Sequence, residues 1–412
     1  MKVLLYLTIS LLLLSTWACK EKKETPNNKP ADTNKPYVVM LSMDGFRWDY
    51  PDKANTPNFD KIEQMGVRAE MQASFPTKTF PNHYTIATGL YPDHHGIVNN
   101  TFWDPQRGVL YKISDRAKVQ DGYFYGGEPI WVTAEKQNVK SASYFWVGSE
   151  AKIDGYRPSI YKIYQHNFPF YQRADSVIAW LQLPAEKRPH LITWYVSQPD
   201  SYGHKYGPKS QQIKDTIAGL DRLLGYFMDK LAKLDIANKV NVIITSDHGM
   251  EEITHNRAIS LTQYIKPEWV KGMDGGNPTY NIWVKNGFKD SVENALQHIP
   301  HIKYYSKSTI PARMHYMQNP RCGDFVATAD SSWALYNKSI PNFTIAGTHG
   351  YDNSFSTMDA IFYAYGPAFK TNYHQQKFKN VDIYNIICTI LDLNAAPNDG
   401  NMDEVKGMLK KQ

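Results

Sequence analysis

The chain has 412 residues, of which 42% are hydrophobic and 21% are charged, and these values are typical of globular proteins. The 46 lysines and arginines against 40 acidic residues leave a net charge of only +6. No run of basic residues resembles a nucleic-acid-binding arm, so we expect no duplex nucleic acid among the partners. The length accommodates one large domain or two ordinary ones.

The N-terminus has the pattern of an export signal. A positively charged start precedes an apolar run over Val3 to Leu14, which is shorter than the roughly 20 apolar residues that span a bilayer. Ala18-Cys19 resembles the end of a bacterial lipoprotein signal, although the two residues before Ala18 depart from the usual pattern. We therefore predict a signal peptide over residues 1–18 and a lipidated Cys19 that anchors the protein at the cell envelope, on the periplasmic side or the cell surface. An ordinary signal peptide cut near Ala18 is the alternative.

Residues 19–36 are predicted to be a disordered tether, because a stretch rich in Lys, Glu, Pro, Asn and Thr cannot bury enough apolar surface to fold. The folded part is expected over residues 37–412. Its two cysteines, Cys322 and Cys388, do not make a disulfide framework or a zinc knuckle, and we expect both to be unpaired and buried.

Short apolar runs predict the strands of a mostly parallel sheet. They are Tyr37–Met43, Ser141–Trp146, Leu191–Val196, Val240–Thr245 and Ala360–Tyr365. Helix-like stretches lie between them, over Phe80–Thr88 and Ile213–Leu234. This alternation predicts an α/β fold with a central sheet flanked by helices, and residues 251–346 are expected to include a smaller inserted subdomain.

Three of the predicted strands lead into an aspartate. These residues are Asp44, Asp200 and Asp247. Ligands of open α/β sheets bind beyond the carboxyl ends of the strands, so the three carboxylates are expected to converge. Carboxylates that lie so close together repel each other unless a cation joins them. A single aspartate at such a place is more often a helix cap or turn residue.

Histidines accompany these aspartates. His204 follows Asp200 by four residues, His248 follows Asp247 directly, and His349 lies in a Gly-Thr-His-Gly segment. Carboxylate oxygens and imidazole nitrogens are the usual ligands of catalytic zinc. Three aspartates and three histidines are too many for one zinc site with an open position, and they suit two Zn²⁺ ions that clamp both sides of a phosphoryl transfer.

Thr79 is a candidate nucleophile at the start of the predicted helix. Its ordinary role would be a helix cap, but a neighbouring metal would lower the pKa of its hydroxyl group and activate it. The helix N-terminus would also offer N–H groups to a phosphate. On the residues alone Thr77 remains an alternative. Asn100 could donate its side-chain amide to a phosphate oxygen.

Together these motifs resemble the ectonucleotide pyrophosphatase/phosphodiesterase family of the alkaline phosphatase superfamily. The resemblance covers nearly all of Tyr37 to Leu393, and each motif stands in the family's order. The motifs are Ser42-Met43-Asp44-Gly45-Phe46-Arg47, Pro76-Thr77-Lys78-Thr79-Phe80-Pro81-Asn82-His83-Tyr84, Thr88-Gly89-Leu90-Tyr91-Pro92, Pro199-Asp200-Ser201-Tyr202-Gly203-His204, Ser246-Asp247-His248-Gly249-Met250 and Gly347-Thr348-His349-Gly350. Without Cys-rich modules or a nuclease-like domain, the chain resembles the compact bacterial form.

The resemblance implies an alkaline-phosphatase-like fold and a role for each candidate residue. One zinc would be held by Asp200, His204 and His349. The other would be held by Asp44, Asp247 and His248, with Thr79 beside it as metal neighbour and attacking oxygen. The resemblance thus selects Thr79 over Thr77, and it assigns Asn100 to the substrate phosphate.

The resemblance also bears on the substrate. The chain keeps a segment after Phe145-Trp146 that lysophospholipid-cleaving members lack, and within it Tyr161 matches the tyrosine that stacks on the nucleotide base, with Phe80 as the opposite wall. This implies a monomeric nucleotide pyrophosphatase/phosphodiesterase. It would release nucleoside 5′-monophosphates from nucleoside triphosphates, dinucleotides and nucleotide esters through a covalent nucleotidyl-threonine intermediate.

Two other functions remain open at this point. One is a choline or lysophospholipid phosphodiesterase, or a phosphomonoesterase, on the same two-zinc core. A monoesterase needs additional cationic groups to hold a dianion, and only Lys78 and Arg47 lie nearby in the sequence. The other is a non-catalytic surface lipoprotein that binds nucleotides.

Overall fold

The structure is a computed structural model that describes residues 35–342 and 346–411. These residues belong to one unit that spans residues 31–412. The predicted signal peptide, the predicted lipid on Cys19 and nearly all of the tether lie outside the described residues.

The described chain contains eighteen strands and eleven α-helices, numbered here in chain order. The strands are β1 Tyr37–Met43, β2 Val67–Gln72, β3 Thr101–Asp104, β4 Val109–Lys112, β5 Ser141–Tyr144, β6 Ile160–Lys162, β7 Leu191–Val196, β8 Val240–Thr245, β9 Glu251–Glu252, β10 Ala258–Ser260, β11 Val270–Gly276, β12 Thr279–Val284, β13 Ile302–Ser306, β14 Phe325–Ala329, β15 Ala334–Tyr336, β16 Gly347–Thr348, β17 Ala360–Tyr365 and β18 Tyr373–Lys379. The helices are α1 Pro57–Met65, α2 Thr79–Thr88, α3 Pro92–His95, α4 Arg116–Val119, α5 Ile130–Lys136, α6 Phe170–Leu181, α7 Asp200–Tyr206, α8 Gln211–Leu231, α9 Lys289–Gln297, α10 Ile383–Ile390 and α11 Met402–Val405.

A central sheet of eight strands organises the fold, in the order β18-β2-β17-β8-β1-β7-β5-β6. All of its neighbouring pairs are parallel except those that involve β17, which runs against both β8 and β2. Separate apolar clusters cover its two faces, because the central strands are buried on both sides. The predicted α/β fold with a mostly parallel central sheet is confirmed.

Some boundaries and strands differ from the prediction for local reasons. β5 ends at Tyr144 rather than Trp146, because Phe145 adopts a left-handed conformation with φ +69° and turns the chain away from the sheet. The long predicted helix begins at Gln211, where the side chain of Ser210 accepts a hydrogen bond from the N–H of Ile213. The sheet strands β2, β6 and β18 were not predicted, because every second side chain of β2 and most of β6 and β18 reach solvent.

A smaller antiparallel sheet lies within the segment for which an insertion is predicted. Its strand order is β11-β12-β14-β13, and its apolar side chains form a cluster of their own with α9. The limits of 251 and 346 for this insertion stay a prediction. Cys322 and Cys388 are both free and buried, as expected. Among the helices that the structure describes, none is long and apolar enough to cross a membrane.

A buried arginine joins a loop to the carboxyl-terminal edge of the central sheet. The guanidinium group of Arg173, in α6, is inaccessible to solvent and donates to the carbonyl oxygens of Tyr195 at 3.0 Å, Phe168 at 2.8 and 3.1 Å and His166 at 3.1 Å. It also lies 4.9 Å from the ring centre of Phe145. Arg173 therefore holds together the end of β7, the loop at 166–168 and the turn after β5, because each of these segments contributes a contact to its guanidinium group.

We expect Arg173→Met to lower the free energy of unfolding by about 2–4 kcal/mol, because the substitution keeps the apolar volume but removes the donor of the buried Tyr195 carbonyl and of the half-buried bonds to Phe168 and His166. Urea denaturation followed by circular dichroism measures this change. Arg222→Met, on the exposed face of α8, is the matched control and should change the value by less than about 0.5 kcal/mol. Equal effects of the two substitutions would contradict this role of Arg173.

Candidate metal centre and cavity

The three predicted aspartates meet at the carboxyl ends of the adjacent strands β8, β1 and β7. Backbone hydrogen bonds hold them there: the N–H of Asp200 donates to the carbonyl oxygen of Asp44 at 2.9 Å, and the N–H of Gly45 donates to Oδ1 of Asp247 at 3.1 Å. Gly45 has φ +70°, and a Cβ atom there would lie 2.9 Å from Cα of Asp200. Only glycine leaves room for the backbone of Asp200 to lie this close to residue 45, and this contact brings the carboxylates of Asp44 and Asp200 together.

The three predicted histidines present the same nitrogen to these carboxylates. Nδ1 of His204 lies 2.8 Å from the carbonyl oxygen of Gly347, Nδ1 of His248 lies 2.9 Å from that of Gly249, and Nδ1 of His349 lies 2.8 Å from that of Thr77. A carbonyl oxygen only accepts, so each Nδ1 carries the proton. In the neutral imidazole Nε2 then carries the lone pair, as in a metal ligand oriented by a backbone group.

These lone pairs face carboxylate oxygens. Nε2 of His248 lies 3.0 Å from Oδ2 of Asp247 and 3.6 Å from Oδ1 of Asp44. Nε2 of His204 and Nε2 of His349 lie 3.3 and 3.5 Å from Oδ1 of Asp200. The three oxygens are buried and have no hydrogen-bond partner in the described part of the chain. When the imidazoles are neutral, these nitrogens and oxygens are all acceptors, and a cation between them relieves their repulsion, so the donor set fits a metal centre.

The pKa shifts of the aspartates and of His349 also fit a metal centre. Burial, and then the charges of Asp247 and Asp200, raises the pKa of Asp44 well above its ordinary value. Burial, together with the neighbouring His248 and Lys78, lowers the pKa of His349 well below its ordinary value, so this imidazole is neutral and free to bind a metal. Burial opposes the ionisation of Asp247, but His248 and His83 outweigh it and lower the pKa of this carboxyl.

Two groups of three ligand atoms lie within 4.8 Å of one another among the described residues: Asp200 with His248 and His349, and Asp44 with His83 and Asp247. These groups contain five of the six predicted ligands and add His83, and the sixth, His204, lies beside them with its Nε2 3.3 Å from Oδ1 of Asp200. The groups differ from the predicted sets in where they place His248. The prediction assigned His248 to the ion of Asp44 and Asp247, and its Nε2 lies near both of these, but it is grouped with Asp200.

His83 is a functional candidate that the sequence reasoning missed. Its Nδ1 donates to the carbonyl oxygen of Thr79 at 3.0 Å and lies 3.3 Å from Oδ2 of Asp247, while its Nε2 lies 2.8 Å from Oγ of Ser42. Both ring nitrogens are engaged, so His83 supports the centre rather than offering it a lone pair. The four-residue spacing from Thr79 on a predicted helix was the signal that could have found it.

Thr79 is the first residue of α2, and its Oγ1 lies 3.3 Å from Nε2 of His248. The hydroxyl group of Thr77 instead donates to the carbonyl oxygen of Tyr351 at 3.1 Å and accepts from the N–H of Gly350 at 2.9 Å. Thr77 is buried and its hydrogen bonds bind the loop that carries His349. The geometry therefore places Thr79, and not Thr77, at the metal centre.

A cavity of about 220 Å³ opens beside the centre and is lined by Asp44, Asp200, Thr79 and Phe80 at one side. Asn100 does not line it. Its Oδ1 accepts from the N–H of Phe80 at 2.9 Å, which leaves the side-chain amide nitrogen without a partner among the described residues. The amide is therefore oriented beside the first turn of α2 and can serve as a donor there.

Tyr161, the residue predicted to stack on the base, does not line this cavity in the structure. Tyr161 lies on the edge strand β6 with its side chain exposed to 38%, and it is not among the residues that line the cavity. Tyr164, after the strand ends, lines the cavity together with Phe145 and Phe80. β6 is the edge strand of the central sheet and pairs with β5, and Tyr161 is partly exposed there. The chain reaches the cavity three residues later, at Tyr164.

Known proteins resemble this chain over most of its length. The sequence profile of the family described as "Type I phosphodiesterase / nucleotide pyrophosphatase" matches residues 38–352. A venom phosphodiesterase of Naja atra is 39% identical over 386 residues, which is 90% of this chain and 46% of that protein. Ectonucleotide pyrophosphatase/phosphodiesterase family member 1 of Mus musculus is 38% identical, over 95% of this chain and 44% of that protein. The chain thus spans about half the length of these curated relatives.

Among solved structures, murine ectonucleotide pyrophosphatase/phosphodiesterase 5 superposes with a TM-score of 0.86 at 36% identity, over 91% of this chain and 100% of that chain. An inactive threonine-to-alanine variant of the same protein in complex with AMP gives a TM-score of 0.86 at 35% identity. The chain belongs to the nucleotide pyrophosphatase/phosphodiesterase family of the alkaline phosphatase superfamily.

The unpaired charge at the centre predicts an unusual effect of Asp44→Asn. Because the pKa of Asp44 is raised in the folded chain, its ionisation costs stability as the pH rises above about 4, and the amide removes that cost. At pH 7 in EDTA we expect a melting temperature a few degrees higher than that of the wild type. In ZnCl₂ the wild type should gain stability and the variant should gain much less.

Differential scanning fluorimetry in the two buffers measures these shifts. Asp229→Asn, on the exposed face of α8, is the control and should shift neither melting temperature measurably. A variant that is destabilised in EDTA and stabilised by zinc as much as the wild type would show that Asp44 does not bind the metal.

Proposed function

We propose that this protein is a two-zinc nucleotide pyrophosphatase/phosphodiesterase that releases nucleoside 5′-monophosphates. One observation carries the proposal: the hydroxyl group of Thr79 lies 3.3 Å from Nε2 of the candidate metal ligand His248, at the N-terminus of a helix and on the wall of a cavity. A nucleophile, a cation site and a substrate pocket thus share one place, which is the arrangement that displacement at phosphorus needs.

The ligand sets that we propose follow the strand ends. One ion would take Asp200, His204 and His349, and the other Asp44, Asp247 and His248, with Thr79 beside it. When bound, the two ions supply positive charge that activates the threonine hydroxyl group and neutralises charge on the attacking and leaving oxygens.

The residues of the chain perform the remaining tasks. Oγ1 of Thr79 attacks phosphorus, the bond to the leaving group breaks, and a nucleotidyl-threonine intermediate forms that water then hydrolyses. The free side-chain amide of Asn100 donates to a phosphate oxygen at the helix N-terminus, where backbone N–H groups also favour negative charge. His83 holds the carbonyl of Thr79 and Asp247 in a constant relation during both steps.

Nucleotides are the substrates that the cavity supports best. Phe80 and Tyr164 both line it, and aromatic walls stack on any base through its π-face, a contact worth about 1–3 kcal/mol per base in nucleic-acid systems. The neighbouring family member that binds AMP supports the same substrate class. Tyr164 takes the stacking role that was predicted for Tyr161.

The nucleophile can be tested by paired substitutions. Thr79→Ala should lower kcat on p-nitrophenyl thymidine monophosphate by about 10³-fold or more, because it removes the hydroxyl group that lies 3.3 Å from Nε2 of His248 at the helix N-terminus. Thr79→Ser keeps the oxygen and should retain far more activity. Acid-quenched wild type, but not Thr79→Ala, should carry a covalent nucleotidyl group in mass spectrometry. Turnover of Thr79→Ala at the wild-type rate would refute the covalent mechanism.

We also propose that Cys19 anchors the protein to the cell envelope, on the basis of the Ala18-Cys19 junction and the apolar run before it. In a bacterial host, wild-type protein should fractionate with membranes and carry acyl chains detectable by mass spectrometry. Cys19→Ser should be exported without them and appear in the soluble fraction. Membrane fractionation of the Cys19→Ser protein at the wild-type level would contradict the anchor.

A further inference from the structure

We propose that Arg116 makes this enzyme prefer nucleotides whose base carries a carbonyl group at the recognised edge, namely 6-oxopurines and 4-oxopyrimidines, over bases with an amino group there. The inference rests on the proposed function and names the substrate class within it. Its basis is an ion pair at the wall of the cavity that holds Thr79 and the two aromatic side chains.

The ion pair joins Arg116, at the start of α4, to Glu150, in the loop after β5. Glu150 is buried, with its side chain exposed to 5%, whereas the side chain of Arg116 is exposed to 39%. Both residues line the cavity. The group that an entering base meets is therefore the guanidinium, and Glu150 lies behind it.

The carboxylate of Glu150 is already occupied. Oε1 accepts from the N–H of Tyr164 at 2.9 Å, and Oε2 accepts from Arg116 and from the side chain of Gln120 at 2.9 Å. The bond from the N–H of Tyr164 also connects the ion pair to the aromatic residue that is proposed to stack on the base. Glu150 thus positions Arg116 and Tyr164, and its oxygens are not the acceptors that an exocyclic amino group would find first.

Arg116, in contrast, has donors to spare. A guanidinium group carries five N–H donors and no acceptor, and among the described residues only Nη2 makes a hydrogen bond. Its central carbon lies 6.0 Å from the ring centre of Tyr164, at the outer limit of contact with that ring, so the guanidinium borders the stacking surface. A base stacked on Tyr164 would present its edge, and not its face, to these donors.

A donor-only group distinguishes bases by their edge chemistry. Guanine and hypoxanthine offer two adjacent acceptors, O6 and N7, and uracil offers O4, whereas adenine and cytosine place an amino donor at the matching position. Donor facing donor is unfavourable, and a guanidinium bound to O6 and N7 is the commonest specific contact with guanine. Arg116 should therefore favour the carbonyl bases.

Inosine triphosphate against ATP, and UTP against CTP, are the matched substrate pairs, because the members of each pair differ only in the exocyclic carbonyl or amino group and in the proton on the ring nitrogen beside it. We expect kcat/KM of the wild type to favour the carbonyl member of each pair by about fivefold or more, the lower end of what one base-edge contact supplies. Arg116→Met should bring both ratios close to one. Arg116→Gln should shift the purine ratio toward ATP, because an amide binds N6 and N7 of adenine.

Two references make the result decisive. Arg107→Met removes an arginine of similar exposure that pairs with Asp121 and does not line the cavity, and it should keep the wild-type ratios. Bis(p-nitrophenyl) phosphate, which carries no base, reports on the chemistry alone. Ratios near one in the wild type, a preference for the amino bases, or ratios unchanged in Arg116→Met would overturn the inference and leave the proposed function standing. Cleavage of bis(p-nitrophenyl) phosphate without cleavage of any nucleotide would overturn both.

Discussion

Negative charge that the chain alone does not compensate is the constraint on which the structure of this site depends. Asp44, Asp200 and Asp247 stand at the ends of three adjacent strands, and each has a buried oxygen without a hydrogen-bond partner in the described residues. The lone pairs of three imidazoles face the same oxygens. Such a cluster is costly unless cations occupy it, so the fold holds it in place by rigid backbone contacts and cations complete it.

The loop that carries His349 and the helix that carries Thr79 are bound to each other next to this cluster. The ammonium group of Lys78 donates to the carbonyl oxygens of His349 and Asn277, and its burial lowers the pKa of Lys78 to about 7. Thr77 adds two hydrogen bonds to the same loop. Thr77 and Lys78 therefore fix the position of Thr79, the proposed nucleophile, relative to the candidate metal ligand His349.

On the other side of the cluster, a chain of contacts leads from the metal centre to the substrate cavity. The hydroxyl group of Tyr195 donates to Oδ2 of Asp44 at 2.6 Å, and the carbonyl of Tyr195 accepts from the buried Arg173. Arg173 in turn holds the loop that follows Tyr164. The wall of the cavity and the candidate metal ligand Asp44 are thus both linked to the same buried cation, Arg173, through β7 and α6.

The sequence by itself determined the fold class, the three strand-end aspartates with their histidines, and the family, because periodic apolar runs and closely spaced motifs are local properties of the chain. It left Thr77 and Thr79 equivalent until the resemblance was invoked, and the tertiary structure separates them by the partners of their hydroxyl groups. Only the structure showed that Tyr164 rather than Tyr161 reaches the cavity and that His83 supports the centre. These outcomes depend on which side chains meet across elements far apart in the chain, and no local pattern encodes such contacts.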